Sequence, residues 1–174
     1  MQGRIELIIG CMFAGKSTEL LRRINRHELA GRKCLVVKPL CDTRSDGLWT
    51  HDHVKKNAIV ADKLSDIDTP NCDVIGIDEI QFFDQPHIIE KWANCGLIVI
   101  CAGLAATYQR RPWSIVTELV AISENITRLT AVCKGCGGDG AFTHRFAQDD
   151  KDLIGGGEAY DALCRKCWND AHMK

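Results

Sequence analysis

The stretch RIELIIGCMFAGKSTELLRR, residues 4–23, constrains the fold more than any other part of the chain. Its apolar start reads as a strand that stops at Gly10, and STELLRRINRHELA reads as a helix closed by Gly31. A strand running through a short turn straight into a helix opens a βα unit, and the strand that follows such a helix lies parallel to the first. Three later apolar runs fit that continuation: KCLVVK, stopped by Pro39, then CDVIGID and LIVICAG. None alternates apolar with polar, so a mostly parallel sheet covered on both faces is predicted. DQPHIIEKWANCG, ending at Gly96, and PWSIVTELVAIS, with Pro112 in its first turn, supply further helices. Residues 40–57 read as a polar, turn-rich loop. From about Thr130 glycines and cysteines crowd in and the segments shorten, which sets the expected domain boundary.

Composition excludes several classes. At 174 residues with 45% hydrophobic side chains, one main domain with a small appendage is expected. The formal net charge of -1 gives no field that would recruit nucleic acid or an anionic membrane. No apolar stretch reaches the length of a membrane span. Arg4 and Glu6 interrupt the first apolar run, so no leader is expected. Of ten cysteines, six (Cys11, Cys34, Cys41, Cys72, Cys95, Cys101) are scattered, several in strand-like runs. They suit free thiols in a reducing compartment, hence an intracellular, cytoplasmic protein.

Gly10 to Ser17 matches G-x-x-x-x-G-K-[ST], with the strand before it and the helix after it. Backbone N–H groups can curl around a phosphate chain only where glycines permit close approach, and a helix N-terminus adds its own donors. Lys16 would reach the β- and γ-phosphates, and the Ser17 hydroxyl would hold Mg²⁺. Such a loop needs a carboxylate from a neighbouring strand end. Asp78 and Glu79 stand there, and if both are extended they face opposite sides. Asp78 is the metal-side candidate and Glu79 the general base. Arg44, in CDTRSDG, is placed to offset charge on a transferred phosphoryl group, or is a solvated loop residue. His51 and His53 read as loop surface.

Cys133-x-x-Cys136 and Cys164-x-x-Cys167 supply four thiolates, the count of a closed, structural zinc site. Two disulfides and a redox C-x-x-C are the alternatives. A zinc ribbon on a nucleic-acid-dependent ATPase is a second functional reading. Asp139, Asp149, Asp150, Asp152, Glu158, Asp161 and Asp170 weigh against it, because they offset Lys134, Arg165 and Lys166.

Taken in order, MFAGKSTEL, DTR, THD, VIGIDEIQFF, TYQRRPW, LTAVCKGC, IGGGEAY and CRKC make the chain similar to the type II thymidine kinases over nearly its whole length. The resemblance implies an α/β fold: a P-loop parallel sheet flanked by helices over 1–130, then a small zinc-bound lasso domain over 131–174 that closes over the nucleoside. It implies transfer of the γ-phosphate of ATP, with Mg²⁺, to the 5′-hydroxyl of thymidine, with deoxyuridine as a further acceptor. By position, Glu79, Arg44 and Lys16 match the catalytic set. Gly10, Gly15, Lys16, Ser17, Thr18, Asp42 and Asp78 match the ATP and magnesium contacts. Met12, Phe82, Leu104, Tyr108, Trp113, Thr143, Leu153, Gly155 and Tyr160 match the thymidine pocket, with main chain near Leu153 and Gly155 reading the base edge. Cys133, Cys136, Cys164 and Cys167 match the structural Zn²⁺ ligands. The family further implies a homotetramer, dTTP as feedback inhibitor, and no nucleic-acid or membrane partner.

The chain departs from the family pattern at several positions. Leu104-Ala105-Ala106 stands where Leu-Asp-Gly is frequent, Cys11 replaces a proline, Ala14 a serine, Ile80 a glycine, and Tyr108 and Trp113 replace phenylalanines. The stretch between Arg145 and Leu153 is shorter by a residue. The short tail after Cys167 is expected of a viral or bacterial member.

Overall fold

The computed structural model describes residues 2–42, 48–49, 55–67, 71–146 and 159–172, with backbone alone at 48–49 and 55–56. Arg44, His51, His53, Leu153 and Gly155 lie outside these described residues.

Strand β1 (Arg4–Gly10) leads into helix α1 (Lys16–Leu29) and β2 (Cys34–Pro39). Next come the short β3 (Leu48–Trp49), β4 (Lys55–Lys56) and β5 (Ile59–Ala61), then β6 (Val74–Ile77). Helix α2 (Pro86–Asn94), β7 (Ile98–Leu104), α3 (Ser114–Ile122) and β8 (Asn125–Leu129) follow. One six-stranded sheet has the order β5-β2-β6-β7-β1-β8, and every pairing in it is parallel.

Alternation along each strand sends side chains to two separate cores. On one face Leu20, Leu21 and Ile24 of α1 pack against Ile8, Val36, Val74 and Ile100. On the other, Ile89 and Trp92 of α2 and Ile115 and Leu119 of α3 pack against Leu7, Ile75, Ile77 and Val99. Gly31 (φ 76°) and Gly96 (φ 97°) take the left-handed conformation just past α1 and α2, where a side chain would be strained. Among the described residues no helix is long and apolar enough to cross a membrane.

Two readings of the sequence need correction. The predicted loop over 40–57 contains an antiparallel pair, Leu48–Trp49 with Lys55–Lys56. The strands β5 and β8 were not anticipated, because edge strands are short and half exposed and so lack a continuous apolar run. Ile59, Val60 and Ile126 are exposed there.

Beyond residue 130, β9 (Ala131–Val132) pairs with β10 (Asp139–Gly140), and β11 (Phe142–Arg145) with β12 (Tyr160–Leu163), both antiparallel. Helix α4 (Arg165–His172) lays Trp168 against Cys133 and Leu163. A small cluster of Cys11, Ala131 and Ala162 joins these hairpins to the turn after β1.

Candidate active site and metal centre

The turn between β1 and α1 is shaped by its backbone. Phe13 (φ 64°) and Gly15 (φ 77°) are left-handed, and a Cβ on Gly10 would lie 2.7 Å from the carbonyl oxygen of Leu129. Lys16, the first residue of α1, is buried and its Nζ donates to the Cys11 carbonyl oxygen at 2.8 Å. The turn is anchored from the other side too. The Cys11 thiol donates to the Gly140 carbonyl oxygen at 3.1 Å, and burial pushes that thiol up, so it keeps the proton it donates. The Met12 N–H donates to Thr143 Oγ1 at 3.1 Å.

Ser17 Oγ donates to Asp78 Oδ2 at 2.8 Å, which brings the second residue of α1 to the end of β6. Asp78 is 3% exposed. Burial first, and then the charge of Glu79, pushes its carboxyl up to about 7, against Ser17 and Lys16, which pull it down. A bound cation would reverse that shift. The Ser17 hydroxyl and Asp78 carboxylate are therefore a hard-oxygen pair fitted to a divalent metal.

Glu79 is not extended, as the sequence reading supposed. It is left-handed (φ 49°, ψ 45°) and starts a short 3₁₀ turn over Ile80–Phe82. The two adjacent carboxylates are thus separated by a backbone reversal and not by strand alternation. Gln81 Nε2 donates to Glu79 Oε2 at 2.7 Å, while Gln81 Oε1 accepts from the Leu104 N–H at 3.0 Å. Gln81 is buried and spans the gap between the candidate base and the end of β7. Sequence reasoning passed over it within VIGIDEIQFF, where no local pattern marks a residue that bridges to Leu104. Lys38, also buried, donates to the Asp42 carbonyl oxygen at 3.1 Å and fixes the start of the segment that leads to Arg44.

Aromatic side chains form two groupings, one at the end of the 3₁₀ turn and one around Arg145. Phe82 and Trp113 meet edge to face with centroids 6.0 Å apart. The Arg145 guanidinium lies 5.5 Å from the Tyr108 ring and 5.6 Å from that of Tyr160. Tyr160 and Thr143 are buried, Met12, Leu104 and Tyr108 half-buried.

The four sulfurs of Cys133, Cys136, Cys164 and Cys167 lie within 4.8 Å of one another, and all ten cysteines are free thiols. A tetrahedral zinc with Zn–S near 2.3 Å spaces its sulfurs about 3.8 Å apart. Cys136 and Cys164 are separated by 3.8 Å. The Cys164 N–H donates to Cys133 Sγ at 3.1 Å and holds that thiol down at about 6, while the neighbouring sulfurs, Cys164 first, push Cys167 up to about 12. A cation among these four sulfurs would draw off their protons and hold them together as thiolates. A Cβ on Gly135 would fall 2.8 Å from Cys167 Sγ, so the first knuckle requires glycine.

A family model for thymidine kinase matches residues 3–168. The chain belongs to the thymidine kinase family. Relatives include the thymidine kinases of rabbit fibroma virus (strain Kasza), 46% identical over 173 residues, 95% of this chain and 96% of that protein. Those of vaccinia virus (strain Western Reserve) and variola virus (isolate Human/India/Ind3/1967) are 44% and 45% identical over 174 residues, each match covering 97% of this chain and 98% of theirs.

Proposed function

We propose that this member of the thymidine kinase family transfers the γ-phosphoryl group of ATP to the 5′-hydroxyl of thymidine, and of deoxyuridine, giving ADP and the nucleoside monophosphate. The observation that carries this reading is the Ser17–Asp78 bond at the foot of the glycine-rich turn, with Glu79 held next to it by Gln81. Gly10, Gly15, Lys16, Ser17 and Thr18 cradle the phosphates as a P-loop. Ser17 and Asp78, with Asp42 nearby, hold Mg²⁺, which when bound neutralises phosphate charge. Glu79 accepts the proton of the 5′-hydroxyl as that oxygen attacks. Arg44 belongs beside the transferred group.

Residues 1–130 form the ATP-binding unit in this reading, and 131–174 close over the nucleoside. Tyr160 packs on the thymine ring, and Met12, Phe82, Leu104, Tyr108, Trp113 and Thr143 line the pocket. Main chain near Leu153 and Gly155 reads the base edge. Flat aromatic faces and main-chain groups that do not titrate suit an uncharged base. Zn²⁺ held by the four cysteines fixes the ends of the closing segment. The protein is assigned to the cytoplasm as a homotetramer inhibited by dTTP.

The test is ADP release from Mg-ATP with thymidine, deoxyuridine, deoxycytidine, deoxyguanosine, single-stranded DNA or no acceptor. Turnover with thymidine, or with thymidine and deoxyuridine, is expected. Release stimulated by DNA and indifferent to nucleosides would overturn the assignment.

A further inference from the structure

A cavity of about 620 Å³ opens at the end of the sheet opposite the glycine-rich turn. Arg4 stands at the first position of β1 and Gly10 at the last, so β1's full length, about 20 Å, separates the two regions. Arg22, Arg23 and Arg26 of α1 line the cavity, with Arg4 from β1 and Arg32 from the turn after α1. The chain as a whole carries a formal net charge of -1, so this is a local concentration of one sign.

Two carboxylates organise the cluster. Glu6 binds Arg4 at 2.7 Å and Arg23 at 2.8 Å, and Glu19 binds Arg22 at 2.6 Å and Arg23 at 2.8 Å. Arg23 also donates to Thr127 on β8 at 2.8 Å, which fixes it between helix and sheet. Among the described residues neither Arg26 nor Arg32 has a carboxylate partner. Arg32 instead donates to Nδ1 of His27. Burial, and then the Arg32 charge, pushes His27 down, so the ring accepts that bond as a neutral base and adds no charge. The negative end of the α1 dipole accounts for a cation at Arg26. It does not account for Arg4, which arrives from a strand, or for Arg32, which lies beyond the helix.

We propose that this cavity binds a small polyphosphate anion, received by the guanidinium groups of Arg26 and Arg32 and flanked by the ion-paired Arg4, Arg22 and Arg23. Guanidinium forks match adjacent phosphate oxygens two bonds at a time, and here the surrounding ion pairs hold the arginines in place beforehand. Among the described residues the cavity has no phenylalanine, tyrosine or tryptophan in its lining, so these residues offer no platform for stacked bases. It therefore recognises the phosphates and not the nucleobase, and a concave site of this size suits a compact anion better than a nucleic-acid strand.

The experiment is calorimetric titration of the full chain with sodium tripolyphosphate at physiological ionic strength, in Lys16→Ala so that the glycine-rich turn is not credited. Adding Arg26→Ser and Arg32→Ser removes two charge-assisted contacts, each worth about tenfold or more, and is expected to weaken binding roughly a hundredfold. With Lys16 intact, the two arginine changes are expected to leave turnover unchanged. Should the combined variant be unstable, Arg26→Glu alone, at an exposed position, gives the same reading. ATP binding as tightly as tripolyphosphate identifies a nucleotide tail as a competent source; tripolyphosphate binding alone assigns the free anion. No binding to Lys16→Ala, equal affinity with and without Arg26 and Arg32, or binding of an oligonucleotide in place of tripolyphosphate would each overturn the proposal.

Discussion

Replacing Gly103 by alanine is expected to damage catalysis from a position that touches no substrate. A Cβ there would lie 2.6 Å from Gln81 Oε1 and 2.6 Å from Ile80 Cγ2, against an ordinary contact of 3.4 Å or more. At Gly103 strand β7 is held by its pairing with β1, so the 3₁₀ turn, and not the strand, must retreat by roughly 0.8 Å. Ile80 cannot yield cheaply, because its clashing methyl sits on the branched Cβ. Gln81 cannot swing away without releasing Leu104 and Glu79 together. Overpacking of this kind costs about 1–3 kcal/mol of stability. Losing the amide bond to Glu79 removes about 1.5–3 kcal/mol of interaction with a charged group. If that bond holds the base in reach of the attacking hydroxyl, kcat falls roughly ten- to a hundredfold while KM for ATP stays near wild type. Gly76→Ala is the control. Its Cβ would meet Ile24 Cδ1 at 2.9 Å and Leu20 Cδ1 at 3.2 Å, the ends of flexible side chains on α1. It should lower Tm without lowering kcat. The assay is steady-state ADP release with thermal melts of both variants. Wild-type kcat in Gly103→Ala, or an equal fall in Gly76→Ala, would refute the reasoning.

Glu79→Gln should cut kcat by roughly a hundredfold or more with little change in ATP affinity, and wild-type turnover would remove Glu79 from the base role. Tyr160→Ala should raise KM for thymidine more than KM for ATP; equal shifts in steady-state kinetics would argue against ring packing. The purified protein should carry about one zinc per chain by elemental analysis. Stripping that zinc with a chelator should change the fluorescence of Trp168, which packs on Cys133, and a metal-free protein with full activity would defeat the structural role. Arg22, and then Arg23, hold the Glu19 carboxyl down at about 2. Their stabilisation is present above the unfolded pKa of about 4.3 and is lost as pH falls toward 2. Solvent screening keeps it small. Glu19→Gln should flatten that acid limb in a pH series of melts, and an unchanged slope would count against the pairing.

The central sheet was legible because its strands are buried on both faces and so read as unbroken apolar runs, and because Gly31 and Gly96 punctuate the helices. The edges were not: NITRL of β8 has exposed positions along its length and resembles a loop. The Ser17–Asp78 pairing follows from a motif and a strand end. The left-handed Glu79 does not, since in sequence it looks like one more residue of a strand. Gln81 was hidden for a different reason. Its importance comes from bridging two segments 23 residues apart, and no local pattern records such a bridge.

The turn after β1 is bonded to the cysteine-rich hairpins at two points, through the Cys11 thiol and the Met12 amide, and shares a small core with them. Two binding events on opposite sides of such a seam are thermodynamically linked. Whatever factor a bound metal adds to nucleotide affinity, a bound nucleotide must add to metal affinity. If the two events favour one another, a nucleotide-loaded chain will resist a chelator better than the empty one, and if they oppose one another it will resist less well. Residue 11 also reaches across the seam with a hydrogen bond that proline could not make, so in this chain the turn and the hairpins have to vary as a unit.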